Sequence, residues 1–388
     1  MKRLAVVVQR CHAQALGGSE ALAWHYAQLL HGRYSVEVLT SCALDYVTWD
    51  NALPAGAETV DGITVRRFTT AFPRGRAFTA LHRRLLADHA RDGGLQTWRE
   101  ALAEEFIRVQ GPWCPGLLDH LAAHADDYAA VIACTYLYPT SYVALDLVPR
   151  AKRILVPTLH DEPPAYLPAY AQRAQNCAGL LWLTAAERRL GARLWGVEAG
   201  DVIGMAVDTA AAPAETRATP YFLYCGRIDA SKGLPDLLAA FARVREQHVV
   251  ELVLTGSDAL GLAGQTGVTF LGHVDAARKS ALMAGCAAFV MPSAHESFSI
   301  VTLEAMAQGA PVVVNAASEV LAEHVARSAC GFVYRSVADC AQRMGDALAL
   351  DDDTRRRHAQ AGRDYVSAHY TRERVAAALH AAVARVCG

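Results

Sequence analysis

Hydrophobic positions along this chain follow two alternating rhythms. Short runs rich in β-formers are separated by longer stretches in which apolar residues recur every three or four positions. In the first half the short runs are Leu4–Val8, Val36–Thr40, Ile63–Phe68, Ala130–Cys134, Arg153–Thr158, Leu180–Thr184 and Val202–Met205. Each predicts a strand. Helices fit between them, notably Ser19–Leu30, where Ser19 is placed to cap and Gly32 to close. The segment Arg74–Leu121 has a helical pattern, interrupted at Gly93-Gly94 and Gly111-Pro112, and reads as an irregular excursion. A stretch of alanine, threonine and proline, Ala210–Pro220, then reads as a link. Beyond it the alternation restarts, with strands expected at Tyr221–Cys225, Glu251–Thr255, Val268–Leu271, Ala287–Met291, Pro311–Val314 and Gly331–Tyr334. The remainder, Asp353–Val386, is helical in pattern and breaks near His369-Tyr370, where Thr371 can cap a last helix.

This order predicts an α/β protein of two Rossmann-like domains facing across a cleft. The expected divisions are 1–205, a linker at 206–220, a second domain at 221–365, and a helix at 366–388 returning to the first. Ligands of such sheets bind beyond the carboxyl ends of the strands, so the chemistry is sought in loops that follow strands.

Composition changes this picture little. With 388 residues, 53% hydrophobic and 20% charged, the chain has core material for two globular domains. A net charge of −2, balanced in both halves, argues against a nucleic-acid partner. One local bias exists: Arg66, Arg67, Arg74, Arg76, Arg83 and Arg84, with no acid between Asp61 and Asp88. It reads either as a solvated face or as a surface for an acceptor phosphate or anionic lipid headgroup. The ten cysteines form no C-x-x-C pair and no zinc spacing, and read as small buried hydrophobes in a reducing compartment. The apolar run at Leu4–Val8 is too short for a signal-peptide core, and no stretch has spanning length. A cytoplasmic protein is expected, with peripheral contact at the cytoplasmic face of the membrane as the variant.

The most informative segment is His295–Pro311. It places Glu296 at a turn after a strand and Glu304, inside the following helix, about two helical turns further on. Backbone N–H groups at a helix start lack intrahelical partners and suit phosphate oxygens, while carboxylates suit sugar hydroxyls. After the strand at 221–225 comes Gly226-Arg227-Ile228-Asp229-Ala230-Ser231-Lys232-Gly233. Its two cations match a diphosphate, the other reading being a surface salt bridge to Asp229. Gly17-Gly18 opens a helix after the first strand, as a phosphate approach or as a simple tight turn, and lacks the dinucleotide spacing. His160-Asp161-Glu162 ends another strand between apolar residues and prolines. There His160 can hydrogen-bond a sugar hydroxyl or phosphate, with Asp161 orienting it or touching the acceptor. Gly256 and Val274 follow two further strands, as a nucleobase slot or as packing, and His273 reads as structural or exposed.

Together these residues resemble the retaining glycosyltransferases of family GT4, which have the GT-B fold. The carriers are Glu296 and Glu304 with seven residues between them, and the Gly226-Arg227…Lys232-Gly233 loop, with Gly17-Gly18 and His160 in agreement. The resemblance implies that Arg227 and Lys232 hold the donor diphosphate, Glu304 the ribose and Glu296 the donor sugar. It places the amides of Phe298, Ser299 and Ile300 at the sugar or phosphates, Gly17 and Gly18 at the diphosphate, and His160 beside the reacting sugar. The expected catalytic set is therefore His160, Arg227, Lys232 and Glu296. Gly256 and Val274 complete the donor side, and Asp161, Arg74 and Arg76 are the acceptor-side candidates. Asn315–Glu319 stands where many relatives have a glycine-rich turn.

The implied reaction moves a sugar from a nucleoside diphosphate donor, UDP or GDP, to a hydroxyl of a glycan, lipid-linked or small-molecule acceptor. It is expected to retain anomeric configuration, without a metal or other cofactor, in polysaccharide, lipopolysaccharide or other glycan synthesis. A glycosidase reading needs two carboxyls about 5–5.5 Å apart across one bond, whereas a turn residue and a helix residue are better placed to grip separate parts of a long ligand. A nucleotide-sugar epimerase of the same architecture and a non-catalytic nucleotide-sugar binder are the remaining alternatives.

Overall fold

The structure, a computed structural model, describes residues 1–12, 17–92, 95, 98–261 and 265–388. Gly93-Gly94, singled out above, and positions 13–16, which precede Gly17-Gly18, lie outside the described residues. Two units divide the chain: Met1–Gly204 with Ala376–Gly388, and Met205–Val375.

The first unit begins with β1 (Arg3–Val7), α1 (Gly18–Leu30), β2 (Ser35–Ser41), β3 (Gly56–Val60) and β4 (Ile63–Phe68). Then come α2 (Arg76–Asp92), α3 (Glu100–Gln110), α4 (Pro115–His124), β5 (Ala130–Cys134) and α5 (Pro139–Asp146). It continues with β6 (Arg153–Val156), α6 (Pro168–Gln175), β7 (Gly179–Trp182), α7 (Ala185–Trp195) and β8 (Asp201–Val202). The strands form one sheet in the order β3-β4-β2-β1-β5-β6-β7-β8. All neighbours are parallel except the β3–β4 edge pair. Central β1 lies between β2 and β5, with Val6 in register with Val38 and Ile132, and Leu4–Val7 are fully buried whichever face they point to, which is why its sequence reads as a continuous apolar run.

The second unit contains β9 (Tyr221–Cys225), α8 (Leu234–Arg245), β10 (Glu251–Thr255), β11 (Val268–Phe270) and α9 (Ala276–Gly285). It goes on with β12 (Ala288–Met291), α10 (Ile300–Ala307), β13 (Val312–Asn315), α11 (Glu319–Ser328) and β14 (Gly331–Tyr334). The helices α12 (Val337–Leu348), α13 (Asp352–His369) and α14 (Arg372–Cys387) follow. Its sheet is parallel throughout, in the order β11-β10-β9-β12-β13-β14. Two parallel-sheet, Rossmann-like units are thus the fold class expected from the alternating pattern.

Several local expectations need correction. Ser19 does not cap α1: the N-cap is Gly17, and the Ser19 hydroxyl bonds Gln9 and Glu20 instead. The strand expected at Val202–Met205 is only Asp201–Val202, and β3 was not expected at all. Residues 206–220 are not a loose linker but a strap on the second unit. Val207 N–H donates to Tyr370 O (2.8 Å), the Gln308 side chain bonds both Ala210 O and Ala212 N–H (2.9 Å each), and Glu215 N–H reaches Ala281 O (2.8 Å).

The chain re-enters the first unit within α14, at Ala376. There His380 stacks on Tyr34, Arg385 pairs with Asp201, and Lys2 Nζ donates to Cys387 O (2.8 Å). All six tryptophans, Trp24, Trp49, Trp98, Trp113, Trp182 and Trp195, belong to this first unit. All ten cysteines are free thiols, and all but Cys177 and Cys387 are buried. Among the described residues no helix is long and apolar enough to cross a membrane.

Candidate functional site

In the second unit the strand-end loops are packed against one another at glycines. Gly256 (φ +126°) lies so close to the end of β9 that an added Cβ would sit 2.0 Å from Gly226 O. Gly226 N–H donates to Thr255 O (3.0 Å) and Ile228 N–H to Ser257 O (2.8 Å), so the arginine loop runs alongside the loop after β10. Gly256 N–H in turn donates to Gly272 O (2.9 Å), two residues before half-buried Val274.

Residues Ala230–Lys232 form a single 3₁₀ turn, capped by Asp229, whose carboxylate accepts from Lys232 N–H (3.1 Å). Gly233 then takes a left-handed conformation (φ +77°) to start α8, where a Cβ would meet Pro292 O at 2.5 Å. This contact seats the lysine loop directly on the end of β12. Pro292 O also accepts from the Asn315 amide (2.9 Å), so Asn315 ties the ends of β12 and β13 together at the position where a glycine-rich turn is usual in the resembled family.

The consequence is a pair of ion pairs. Lys232 Nζ lies 2.7 Å from Glu296 Oε1, and Lys279 Nζ lies 2.7 Å from both oxygens of Glu304. Arg227 lies 3.5 Å from Asp229, the partner that a surface reading gave it, while its backbone oxygen accepts from Tyr224 Oη (2.7 Å). Glu296 and Glu304 flank the start of α10. Ser299, in the left-handed region (φ 59°), is the N-cap and uses its hydroxyl on Thr302 Oγ1 (2.9 Å) rather than on a backbone N–H. The first-turn N–H groups of α10 therefore carry the positive end of a helix beside two carboxylates and two ammonium groups.

Phe298 is buried, its ring edge-on to Tyr370 (5.3 Å) and His324 (6.2 Å). Its carbonyl accepts from His324 Nε2 (2.9 Å). A carbonyl only accepts, so Nε2 carries the proton and Nδ1 accepts from Tyr365 Oη (3.0 Å), which lies 3.3 Å from Tyr370 Oη. Burial pushes the His324 imidazole down to about 4, so it is neutral at ordinary pH. Neither Lys279 nor His324 was among the expected residues. Both interrupt apolar helical stripes: Lys279 with Leu282, Met283 and Cys286, and His324 with Val320, Leu321 and Val325. A polar residue on a buried stripe was the signal available in the sequence.

In the first unit, Gly17 is required by the protein's own chemistry, since a Cβ there would meet Glu20 Oε2 at 2.1 Å. Buried Glu20 is held at the start of α1 by Arg10 (2.5 Å), Gln9 and Ser19. For Gly18, by contrast, no atom among the described residues beyond its chain neighbours and its own helix backbone lies within 4 Å of where a Cβ would stand. His160 Nδ1 is 3.5 Å from Glu162 Oε1, which accepts from Tyr136 Oη (2.8 Å). Just before it, Thr158 is buried at φ +51°, and Thr135 in the neighbouring loop has φ +72°. Positive φ is an outlier for a β-branched residue. Glu187, on α7, is fully buried. Its two oxygens accept from Leu159 N–H (2.6 Å) and Leu183 N–H (2.5 Å), and burial pushes its carboxyl up to about 7 against those bonds.

The acceptor-side candidates separate. Asp161 is taken up by Tyr166 Oη and Arg193 (2.7 Å each). Arg74 is sandwiched between Trp49 and Phe78 and donates twice to Gln110 O (3.0 and 2.8 Å), which is packing of the α3 end. Arg76 is exposed at the start of α2. The arginine-rich stretch is not one cationic face, because Arg66, Arg67 and Arg84 pair with Glu37, Glu58 and Asp88.

Residues 219–349 match the family model described as Glycosyl transferases group 1. An uncharacterized glycosyltransferase of Methanocaldococcus jannaschii is 38% identical over 102 residues, 24% of this chain and 26% of that protein. Glycogen synthase of Mycobacterium tuberculosis is 31% identical over 168 residues, 40% of each chain. The matched part is thus less than half of either relative. Solved structures are similar over nearly the whole chain. Sucrose-phosphate synthase from Thermosynechococcus elongatus superposes with a TM-score of 0.70 at 19% identity, covering 97% of both chains. Anabaena HepE in complex with UDP-glucose gives 0.67 at 16% identity, covering 99% of this chain and all of that one. These likenesses establish the fold, the two-domain architecture of GT-B glycosyltransferases.

Proposed function

We propose that the chain is a glycosyltransferase that moves a sugar from a nucleoside diphosphate sugar to an acceptor hydroxyl, with retention of anomeric configuration and without a metal. The observation that carries this reading is the pair of lysine–glutamate contacts flanking the start of α10, Lys232–Glu296 and Lys279–Glu304. A nucleotide sugar carries groups of both kinds. Its diphosphate competes with Glu296 for Lys232, and its sugar hydroxyls offer Glu296 donors in exchange. Its ribose hydroxyls can join Glu304 while Lys279 keeps that carboxylate ionised and oriented. Arg227, Lys232 and the first-turn N–H groups of α10 lie on the side where negative charge grows as the diphosphate departs, and fixed donors there favour the transition state over the ground state.

The family match falls on residues 219–349, the part that carries these pairs, and the HepE structure with UDP-glucose supports a donor of that class. In this reading His160 on the first unit serves the sugar undergoing transfer, Gly18 leaves room for the diphosphate, and the acceptor is a glycan, lipid-linked or small-molecule hydroxyl in cytoplasmic glycan synthesis.

Thermal shift with UDP, GDP, ADP, CDP and dTDP tests the donor assignment. A ligand at a hundred times its dissociation constant adds about 2.7 kcal/mol of stability, so UDP or GDP should stand out. If no nucleoside diphosphate raises the transition, the reading fails. Release of free nucleoside diphosphate with an epimerised sugar, in the absence of acceptor, would replace it with an epimerase.

A further inference from the structure

Resting on the reading above, in which His160 serves the transfer, we infer that Glu187 is the positioning residue that aims it. The backbone leading to His160 is held in a conformation its sequence disfavours. Thr158 is β-branched, buried and left-handed (φ +51°), and Thr135 in the neighbouring strand-end loop is left-handed too (φ +72°). Such residues persist only where their surroundings over-determine them, and they gather at sites of function.

Two anchors hold this turn. From one side Thr135 N–H donates to Val156 O (2.8 Å) and Tyr136 N–H to Pro157 O (2.9 Å), which fixes the chain just before Thr158. From the other, Leu159 N–H donates to Glu187 Oε1 at 2.6 Å, which fixes it just after. The second oxygen of Glu187 accepts from Leu183 N–H, and its own N–H is held by Thr184 Oγ1 (3.0 Å), so the carboxylate is immobile at the start of α7. It bridges the carboxyl ends of β6 and β7. A capping acid at this helical position needs only to return to the N-cap residue. A bond to Leu159, 28 positions earlier, serves a different loop. His160 is the next residue, and Glu162, tied by Tyr136 Oη, faces its Nδ1 from beyond.

The Glu187–Leu159 bond, a strap across the His160 loop, is tested with Glu187→Gln, Thr158→Gly and the double variant. Two readouts are used: donor turnover, and the ring resonances of His160 in histidine-labelled protein, assigned through His160→Ala. Glu187→Gln should lower kcat about tenfold or more, since small misplacements of a reacting group have that scale, while donor KM stays within about twofold. The His160 resonances should move with it. Glycine accepts positive φ without a strap, so adding Thr158→Gly should restore both readouts toward wild type. Glu187→Asp is the second variant. Its shorter carboxylate can still cap α7 but falls short of Leu159, so it should behave like Glu187→Gln. Unchanged His160 resonances in Glu187→Gln and Glu187→Asp, or a loss of kcat that Thr158→Gly leaves untouched, would reduce Glu187 to a helix cap. Wild-type protein that neither binds nucleotides nor transfers sugar would sink the functional reading, while the resonance comparison would still judge the strap.

Discussion

Replacing His324 with leucine separates a buried neutral imidazole from an ordinary surface one. In the folded chain burial holds this group at about 4, against an ordinary value of 6.5. A base whose folded pKa is depressed leaves stability intact above its unfolded value. As pH falls below 6.5 the unfolded chain takes up a proton that the folded chain refuses, and stability drops until the folded form protonates near 4. A shift of that size corresponds to roughly 3 kcal/mol. Leucine removes this dependence, but at neutral pH it leaves Phe298 O and Tyr365 Oη without the partners that His324 supplies. The orphaned Phe298 carbonyl costs about 1–3 kcal/mol, while Tyr365 Oη keeps Tyr370 Oη as a neighbour. The leucine variant should therefore be the less stable protein at neutral pH, and the gap should close by roughly 3 kcal/mol as pH falls toward about 4. Urea unfolding by far-UV circular dichroism across that range measures it, and the difference between the two proteins cancels every other titrating group. Tryptophan fluorescence gives an internal control, since all six tryptophans report the first unit and His324 is in the second. A gap that stays constant with pH would mean that His324 titrates as if in water, and the hydrogen-bonded support under Phe298 would be lost as an explanation.

Four further substitutions probe the donor side. Lys232→Ala should weaken nucleoside diphosphate binding by about 1.5–3 kcal/mol, the scale of a charge-assisted hydrogen bond, and barely touch the nucleoside; equal losses in calorimetry would remove the phosphate assignment. Lys279→Ala should show the opposite pattern, with nucleoside and diphosphate losing alike, because Glu304 then lacks the cation that orients it. Glu296→Gln releases Lys232, so the bare diphosphate should bind as well or better while the added affinity of the nucleotide sugar over it shrinks; a parallel loss of both would contradict the sugar role. Gly233→Ala forces a Cβ to within 2.5 Å of Pro292 O at positive φ. Left-handed backbone alone costs about 1–2 kcal/mol, so a variant as stable as wild type with unaltered nucleotide binding would show that the lysine loop is not seated on β12.

Much of the fold was legible because buried parallel strands need continuous apolar runs. β9, β10 and β14 coincide with the expected segments. β3 escaped because every residue of it is exposed on a sheet edge, where no apolar face is required. Ser19 looked like a cap because local propensity favours it, but Gln9 and Glu20 compete for its hydroxyl. Residues 206–220 have no periodicity, and their order comes from distant partners, the backbone oxygens of Tyr370 and Ala281 and the side chain of Gln308. For the candidate site, the sequence revealed residue types at loop positions but not their partners. That Lys279 would meet Glu304 and His324 would meet Phe298 depends on contacts 25 and 26 positions apart, which no local pattern encodes. Arg74 shows the converse: a cation in an acid-free stretch looks unengaged in the sequence, yet its guanidinium stacks on Trp49 and Phe78.

The division of the chain also sets an order of completion during synthesis. The second unit is one uninterrupted segment, Met205–Val375, whereas the first is assembled from two pieces that enclose it. A nascent chain has every residue of the second unit before Ala376 leaves the ribosome. The unit begun first is the one finished last, because Arg385 must arrive to meet Asp201 and Cys387 to meet Lys2. Until then the outer edge at β8 and the surface around Tyr34 wait uncovered, and a chaperone that binds this protein co-translationally should be found on the first unit rather than on the second.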